Sequence, residues 1–290
     1  MQRKQQGKKI RNGWSYKMLN KYEIEKIAEE NSQQIKIIEK DYLLEMILFL
    51  LQEYANDLIF KGGTALYKLY SLPRFSEDLD FTLNRKINTN KMTQNIMRKL
   101  QLAGISGRIK EVSIYRNQQN IRLELRGPLF DGNPQNANVI TINLSMKEKT
   151  IYKANEERIY PKYRDIPSFN VSVMPLQEIL AEKIRALFTR EKPRDVFDIW
   201  FLLKRGASTT LHDVNKKLKL YKEKFSKEKF IEKIENKRKA WNMDLKGVIK
   251  DKLPDFNIIK KEIVEHINEL IKNRHKKEKF VPLILKHRNL

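Results

Sequence analysis

A Gly-Gly-Thr turn at Gly62–Thr64 is followed, after thirteen intervening residues, by the triplet Asp78-Leu79-Asp80. Side chains alternate between the faces of a β-strand, so Leu79 and Phe81 would face the core and both aspartates would project together from the other face. Two neighbouring carboxylates repel each other, and burial adds to the cost of both charges. Magnesium relieves that cost, since it prefers a few carboxylates together with water and substrate phosphates. The triplet therefore predicts a short strand that supplies Asp78 and Asp80 to a magnesium site.

The glycines of the turn fit the same kind of site. The residues after Gly63 predict a helix, and the free N–H groups at its start would form an anion site. Gly62 and Gly63 let a phosphate approach the backbone closely, and Thr64 adds a hydroxyl donor. Arg74, just before the strand, can hold a phosphate through its planar fork. Either motif alone is weak, but their order and spacing together indicate a phosphate and metal site.

The charge of the chain limits its partners. Lysine and arginine number 59 against 36 aspartates and glutamates, which gives a net charge of +23. Such a surface attracts polyanions, nucleic acid above all, although a solubility or genome bias toward lysine would give the same composition. The chain has no cysteine, which excludes disulfides, thiolate metal sites and cysteine nucleophiles.

The same composition gives expectations about location. No apolar run reaches the roughly 20 residues that span a bilayer. The first twenty residues contain six basic and no acidic groups, and no apolar core follows them, so they do not resemble a secretory signal. We therefore expect a cytoplasmic protein with no membrane partner.

The pattern of apolar residues predicts an α+β protein. We expect a basic, flexible N-terminus over 1–19, a mixed α/β domain over 20–165 and a mostly helical, basic domain over 166–290. The segment "EKDYLLEMILFLLQEY" is apolar on most faces and predicts a buried helix. Alternation and turn residues predict strands at 58–60, 78–83, 109–116, 120–126 and 139–146.

Four segments together resemble a known family: "EKDYLLEMIL", "FKGGTALYKLY", "RFSEDLDF" and "EKIRALFTREKPRDVFDIWFLL". The glycine turn and paired-acid strand are similar to those of the polymerase-β-like nucleotidyltransferase superfamily. The four segments, in this order, resemble the AbiEii/AbiGii-type toxins of that superfamily, which include the MenT-like toxins. The similarity covers roughly residues 35–205 and implies the nucleotidyltransferase fold, a mixed sheet flanked by helices.

The resemblance assigns roles to particular residues. It implies that Asp78 and Asp80 are catalytic and bind Mg²⁺, with Mn²⁺ as an alternative, and that Lys183 is catalytic and faces the nucleotide phosphates. Asp195 and Asp198 match the later acidic motif of the family, and Asp198 is the stronger catalytic candidate. The nucleotide-binding set that it implies is Gly62, Gly63, Thr64, Arg74, Ser76 and Lys183. From the residues alone, Lys183 is what an ordinary solvated lysine looks like, and Asp195 is an acid of the kind favoured in the first turn of a helix.

One position departs from the pattern. Polymerase-β-like enzymes usually have a third acid on a later strand, and here the matching residue is Asn143, with Ser145 on the same face. An amide cannot neutralise a metal or deprotonate a hydroxyl. Glu124 is the nearest alternative acid in the sequence. Either the third acid is dispensable in this branch or activity is reduced.

The family resemblance and the charge together indicate a toxin that transfers a nucleoside monophosphate from an NTP to RNA, with the tRNA 3′ end as the expected acceptor. A cognate antitoxin protein and a toxin–antitoxin or phage-defence system are implied by the resemblance. An aromatic–basic segment that can stack bases lies at Tyr152, Lys153, Arg158, Tyr160, Lys162 and Tyr163, although a half-buried linker would have the same composition. Two alternatives remain open: a nucleic-acid-binding protein with a degenerate site, and an NTP-dependent transferase that acts on a protein or a small molecule.

Overall fold

The computed structural model describes residues 18–115, 118–146, 148–250 and 252–272. Most of the predicted N-terminal segment lies outside this range. The described helices are α1 Lys21–Glu30, α2 Ile35–Leu51, α3 Gly62–Tyr70, α4 Thr89–Leu102, α5 Leu176–Thr189, α6 Arg194–Lys204, α7 Leu211–Lys219, α8 Lys227–Glu235, α9 Trp241–Leu245 and α10 Phe256–Lys272. The strands are β1 Leu58–Lys61, β2 Asp78–Leu83, β3 Ser106–Tyr115, β4 Gln118–Arg126, β5 Asn138–Ser145, β6 Asn155–Ile159 and β7 Phe169–Val173. Short 3-10 turns lie at Gln52–Tyr54 and Pro134–Asn136.

The strands form one mixed sheet in the order β3-β4-β5-β2-β1-β7-β6. β2 pairs antiparallel with β1 and parallel with β5, and β1 pairs parallel with β7. The outer pairs, β3–β4, β4–β5 and β6–β7, are antiparallel. The predicted fold class, a mixed sheet with flanking helices followed by a mostly helical part, is confirmed. The five predicted strands correspond to β1 to β5.

The sequence patterns missed β6 and β7. β6 is a five-residue strand at the edge of the sheet, mostly exposed and containing two adjacent glutamates. β7 is equally short, and it lies one strand in from that edge, between β6 and β1. The sheet therefore continues to Val173, beyond the domain boundary that we predicted at 165. The division of the chain into two domains stays a prediction.

Two apolar clusters lie on the two faces of the sheet. The first packs α1, α2 and α4 against inward side chains of β2, β4 and β5, among them Leu79, Phe81 and Ile142. As predicted, α2 is buried on nearly all sides from Ile38 onward. The second cluster joins Ile59 and Leu66 to the helices from α5 to α10. The polar face of β2 and β5 is thereby directed toward α5, which follows directly from β7 through Met174 and Pro175.

Candidate active site

The two aspartates of β2 lie on the face predicted from the sequence. Leu79 and Phe81 are buried, whereas Asp78 and Asp80 are partly accessible. Asp80 lies opposite Asn143 in the parallel pairing of β2 with β5, and the amide of Asn143 donates to Asp80 Oδ1 at 2.9 Å. Asn143 therefore occupies the strand position of the expected third acid and directs an amide toward Asp80.

Burial and the Asp80 carboxylate both raise the pKa of Asp78. The charge of Arg194, a hydrogen bond from Thr141 and the charge of Lys192 act in the opposite direction. Lys192 lies between α5 and α6 and Arg194 is the first residue of α6, so this part of the chain lies close enough to Asp78 to influence its charge. A bound cation would remove the repulsion between the two carboxylates.

Both glycines of the turn are required by close contacts. Gly62 has φ +77°, a conformation that favours glycine, and a Cβ built there would lie 2.4 Å from Asp80 Oδ2. A Cβ on Gly63 would lie 2.6 Å from Arg74 Nη2 and 2.8 Å from Ser76 Oγ. The turn therefore holds the start of α3 directly against the acidic strand and the segment that precedes it.

The structure gives three members of the predicted nucleotide-binding set other contacts. Thr64 is buried, and its hydroxyl donates to the backbone carbonyl of Asp78, which ties α3 to β2. Arg74 is buried, and each of its three guanidinium nitrogens has a protein acceptor: Nε and Nη2 contact Asp198, and Nη1 contacts the Phe75 carbonyl. Ser76 is also buried and lies next to Gly63. These contacts connect the parts of the site to one another.

A chain of ion pairs lies behind the cleft. Arg74 donates two hydrogen bonds of 2.6 Å to Asp198, and Asp198 Oδ2 is 2.6 Å from Lys183 Nζ. Lys183 also contacts Asp195 at 3.3 Å, and Asp195 accepts two bonds of 2.6 Å from Arg190. The two aspartates are fully buried, and Asp198 is not among the residues that line the cleft. Asp198 thus contacts Lys183 and Arg74, and any role in the reaction would pass through them.

These contacts set the charge states of the buried aspartates. Burial alone would raise the pKa of Asp195, but Lys183 and Arg190 lower it well below its ordinary value. Burial alone would also raise the pKa of Asp198. The positive charges of Arg74 and Lys183 have the larger effect, so the pKa of Asp198 is lowered as well. Both residues are carboxylates at neutral pH, and they hold Lys183 in one position from two sides.

A cleft of about 360 Å³ lies between the polar face of the sheet and α5. Of the predicted residues, it is lined by Gly62, Asp80 and Lys183, and Asn143 and Ser145 contribute from β5. The lining residues that the sequence patterns did not identify as part of the site are Lys61, Phe81, Gln118, Glu148, Ile179, Glu182, Arg185, Ala186, Thr189, Arg190 and Tyr221. The one available signal was the spacing of Glu182, Arg185, Ala186 and Thr189, which places them on one face of a helix.

A second ionic cluster closes one side of the cleft. Lys61 Nζ lies 3.1 Å from Glu182 and 3.4 Å from Glu148, and Lys217 Nζ contacts both Glu182, at 3.0 Å, and Glu178, at 2.6 Å. Burial would raise the pKa of Glu182, but Lys61 and Lys217 lower it strongly. The cluster joins the end of β1 to α5 and α7, and it therefore fixes the sheet relative to the helical part of the chain.

Several other sequence expectations lie away from the cleft. Glu124 pairs with Arg108 and Lys110 near the far end of β4, so it does not replace the third acid at Asn143. In the aromatic–basic segment, Tyr163 is buried and donates to Asp41, and Tyr152 donates to Asp213. Among the three tyrosines, only Tyr160 is exposed, at 77%. Two of the three tyrosines are thus held by contacts within the fold, whereas Lys153, Arg158, Tyr160 and Lys162 are exposed, and base stacking by this segment stays a prediction.

The acid pair fits the coordination shell of magnesium better than that of a metal whose ligands all come from the protein. Within the described ranges, no cluster of three or more acidic or histidine side chains is arranged to hold a metal ion. Magnesium commonly uses one or two carboxylates and completes its shell with water and substrate phosphates. Asp78 and Asp80 match that donor set, because they share a face and Asp80 Oδ2 lies over the open backbone of Gly62.

Across the described part of the chain, no helix is long and apolar enough to cross a membrane. A search of curated protein sequences gave no match. The fold is similar to JHP933 from Helicobacter pylori, with a TM-score of 0.53 and 21% identity over 82% of this chain and 95% of that one. It is also similar to MenT4, a nucleotidyltransferase toxin from Mycobacterium tuberculosis, with a TM-score of 0.62 and 16% identity over 87% and 90% of the two chains.

The sequence itself matches a family over most of its length. The family described as "Nucleotidyl transferase AbiEii toxin, Type IV TA system" matches residues 44–277. This range includes the glycine turn, the acid pair, Asn143, α5 with Lys183 and α6 with Asp198. The chain therefore belongs to the AbiEii family of nucleotidyltransferase toxins.

Proposed function

We propose that this nucleotidyltransferase transfers a nucleoside monophosphate from an NTP to RNA, the acceptor being the 3′ end of a tRNA. Asp78 and Asp80 would hold Mg²⁺, or Mn²⁺ in its place. Gly62 and Gly63, at the start of α3, would approach the triphosphate, and Lys183 would contact it from α5. A tRNA with a modified 3′ end would no longer support translation, which would account for toxicity.

One observation carries this proposal: Asp80 of the acid pair is in direct contact with Gly62 of the glycine turn, and both residues line the cleft together with Lys183. Asp80 lies against Gly62, and Gly62, Asp80 and Lys183 line the same cavity. A carboxylate pair, a helix start and a lysine are the groups that a nucleotide triphosphate with its metal requires. Their convergence from β2, α3 and α5 supports nucleotide transfer at this position.

The reaction needs few groups from the protein. The oxygen of the acceptor hydroxyl forms a bond to the α-phosphorus. The bond from that phosphorus to the oxygen that bridges it to the β-phosphorus breaks, pyrophosphate leaves with that oxygen, and the hydroxyl proton passes to solvent water. Bound magnesium would supply charge neutralisation for the phosphates. Lys183 has three N–H donors, and Asp195 and Asp198 accept two of them, so the third is left for a phosphate oxygen.

The charge of the chain supports an RNA acceptor. The net charge is +23, and residues 211–290 alone contain 23 lysines and arginines against 12 aspartates and glutamates, a difference of +11. Close to Asp78 lie two cations, the exposed Lys192 before α6 and the half-buried Arg194 at the start of α6. These cations can hold the phosphate backbone of RNA, a contact that is sensitive to salt and nearly independent of sequence.

The family description as a type IV toxin–antitoxin component supports a cognate antitoxin protein. We infer that the chain acts within such a system, in phage defence, in the cytoplasm where tRNA is present. The antitoxin would be needed to protect the host from the transferase.

The test is a transfer assay. Purified protein is incubated with Mg²⁺, total tRNA and each of the four NTPs labelled on the α-phosphate. Transfer of label to tRNA is expected from at least one NTP, with no transfer in EDTA or with the Asp78→Ala, Asp80→Ala double variant. The matched control is Glu53→Ala, Glu77→Ala, which removes two carboxylates from the exposed surface.

The outcomes separate the acceptor classes. Label on tRNA that falls steeply as salt rises supports the RNA acceptor. Label on protein, or on small molecules with little response to salt, overturns it and identifies the other transferase class. Absence of label from every fraction, in a protein that still binds tRNA, would leave a binding protein with a degenerate site.

A further inference from the structure

The cleft contains a pair of planar side chains that the reaction at the acid pair does not use. The guanidinium carbon of Arg185, on α5, lies 4.7 Å from the ring centre of Tyr221, in the turn after α7. Both residues line the same cavity as Asp80 and Lys183. Tyr221 is 44% exposed, so ring surface remains available beside the contact with Arg185.

We propose that Arg185 and Tyr221 form the subsite for the base of the incoming NTP. This inference deepens the proposed function and rests on an NTP as the donor. Stacked aromatic and guanidinium groups bind nucleobases because every base has a π-face and because guanidinium also stacks on aromatic rings.

The polar groups around this pair support a base as its ligand. Arg185 Nε is buried and has no hydrogen-bond partner among the described residues. The carbonyl oxygens and ring nitrogens of bases are acceptors that can satisfy such a donor. Nearby, Glu148 is already occupied, since its carboxylate accepts from Tyr221 and contacts Lys61. The unpaired donor is thus available to an acceptor atom of a ligand that enters the cleft, such as a base carbonyl or ring nitrogen.

The position of the pair relative to the acid pair also fits a nucleotide. On β5, Ser145 lies two residues beyond Asn143, and its partner on β4 is Gln118. Two residues of strand span roughly 7 Å, so the cleft extends along the sheet away from Asp80. On α5, Ala186 and Thr189 also line the cleft, and the Thr189 hydroxyl accepts a hydrogen bond from Arg185 Nη1 at 3.3 Å, which helps to hold the guanidinium in place. Phosphates near Gly62 and Lys183 would leave the base directed toward Tyr221.

The test compares binding of an NTP with binding of tripolyphosphate, which has the phosphates and no base. Affinities of ATP, GTP, CTP, UTP and tripolyphosphate are measured by calorimetry with Mg²⁺ and without RNA. We expect the wild type to bind at least one NTP more tightly than tripolyphosphate. Tyr221→Ala should reduce that advantage by roughly tenfold and leave tripolyphosphate unchanged, since stacking on one aromatic ring has about this effect.

Further variants separate stacking from other roles. Tyr221→Phe keeps the ring, loses only the hydroxyl and should retain the advantage of the NTP. Arg185→Lys keeps the charge but not the planar group, and it should lose the advantage of the NTP over tripolyphosphate. This variant gives a second test if Tyr221→Ala does not fold. Tyr160→Ala is the matched control, because Tyr160 also contacts an arginine, Arg158, but lies outside the cleft.

Equal weakening of the NTP and tripolyphosphate, or no change in either, would overturn the proposal. An effect confined to the KM for tRNA would also overturn it and would assign the pair to the acceptor. Because the binding measurement needs no acceptor, its result is independent of whether tRNA is the substrate.

Discussion

Gly62 and Asp80 are packed so closely that the glycine has no space for a side chain: a Cβ on Gly62 would lie 2.4 Å from Asp80 Oδ2. Gly62 directly follows Lys61, the last residue of β1, and Lys61 lies opposite Asp80 in the antiparallel pairing of β1 with β2. The contact determines where the carboxylate sits relative to the start of α3. The two motifs of the sequence are therefore parts of one local structure.

Gly62→Ala should reduce transferase activity by about 100-fold, because a displacement of the carboxylate by about 1 Å is enough for such a loss. The measurement is kcat/KM for the NTP, together with the free energy of unfolding. Gly132→Ala is the control, since Gly132 has φ +99° and nothing within 4 Å of its built Cβ. It adds similar backbone strain without the clash. Comparable activity loss in both variants would contradict the importance of the Asp80 contact.

Lys183→Met should lower kcat by about 10²–10³, as expected for loss of a donor to developing negative charge. It should also destabilise the fold by about 3–5 kcal/mol, because two buried aspartates lose a partner. Lys68→Met is the matched control: Lys68 is equally buried and contacts Asp41 at 2.7 Å and Glu45 at 3.1 Å. We expect a similar loss of stability there, with kcat per folded molecule preserved. Equal kcat in the two variants would exclude a role for Lys183 in the reaction.

Asn143→Asp should make the stability of the fold dependent on magnesium. The substitution replaces the amide that donates to Asp80 by a third carboxylate, which repels Asp78 and Asp80 until a cation binds. The Tm should fall in EDTA and recover with Mg²⁺ by more than in the wild type. Asn138→Asp is the control on the same strand, where the amide donates to Glu39 at 2.6 Å. Recovery of both variants by Mg²⁺ would show that the effect is not specific to the acid pair.

Asp195 should make stability fall on acidification. Its pKa is lower in the folded chain than the ordinary value of 3.8. Its contribution to the free energy of unfolding is therefore fully present above pH 3.8. That contribution is lost as the pH falls from 3.8 toward the lower pKa of Asp195 in the folded chain. Urea unfolding from pH 6 to pH 3 should show a steeper decline in the wild type than in Asp195→Asn, by at most about 1.4 kcal/mol per pH unit. The exposed Asp244→Asn should keep the wild-type slope, and an unchanged slope in Asp195→Asn would refute the prediction.

Local patterns in the sequence identified β1 to β5, the buried α2 and the facing of Asp78 and Asp80, because alternation and glycine turns act over a few residues. They could not predict the partner of Arg74. A phosphate was a reasonable expectation for an arginine beside the acidic strand, but the fold brings Asp198 to it from 124 residues away. β6 and β7 were missed for a related reason: each is five residues long, and β7 owes its place to pairing with β1.

The cleft residues on α5 show the same limit. The sequence pattern gave the helix and its apolar stripe, and Lys183 was identified by family resemblance. Glu182 and Arg185 depend on contacts with Lys61, Lys217 and Tyr221, which belong to segments distant in the sequence. Charged residues on one face of a helix are usually solvated, so only the packed structure distinguishes these from ordinary surface residues.

The position of α5 after β7 also determines when during synthesis the enzyme becomes complete. At roughly 5–20 residues per second, the 103 residues between Asp80 and Lys183 take roughly 5–20 s to translate. During that interval the nascent chain contains the acid pair and the glycine turn, but neither the lysine nor the helix that closes the cleft. Throughout that interval the growing chain lacks the part of the candidate active site that α5 contributes, and premature termination before α5 yields a fragment without Lys183.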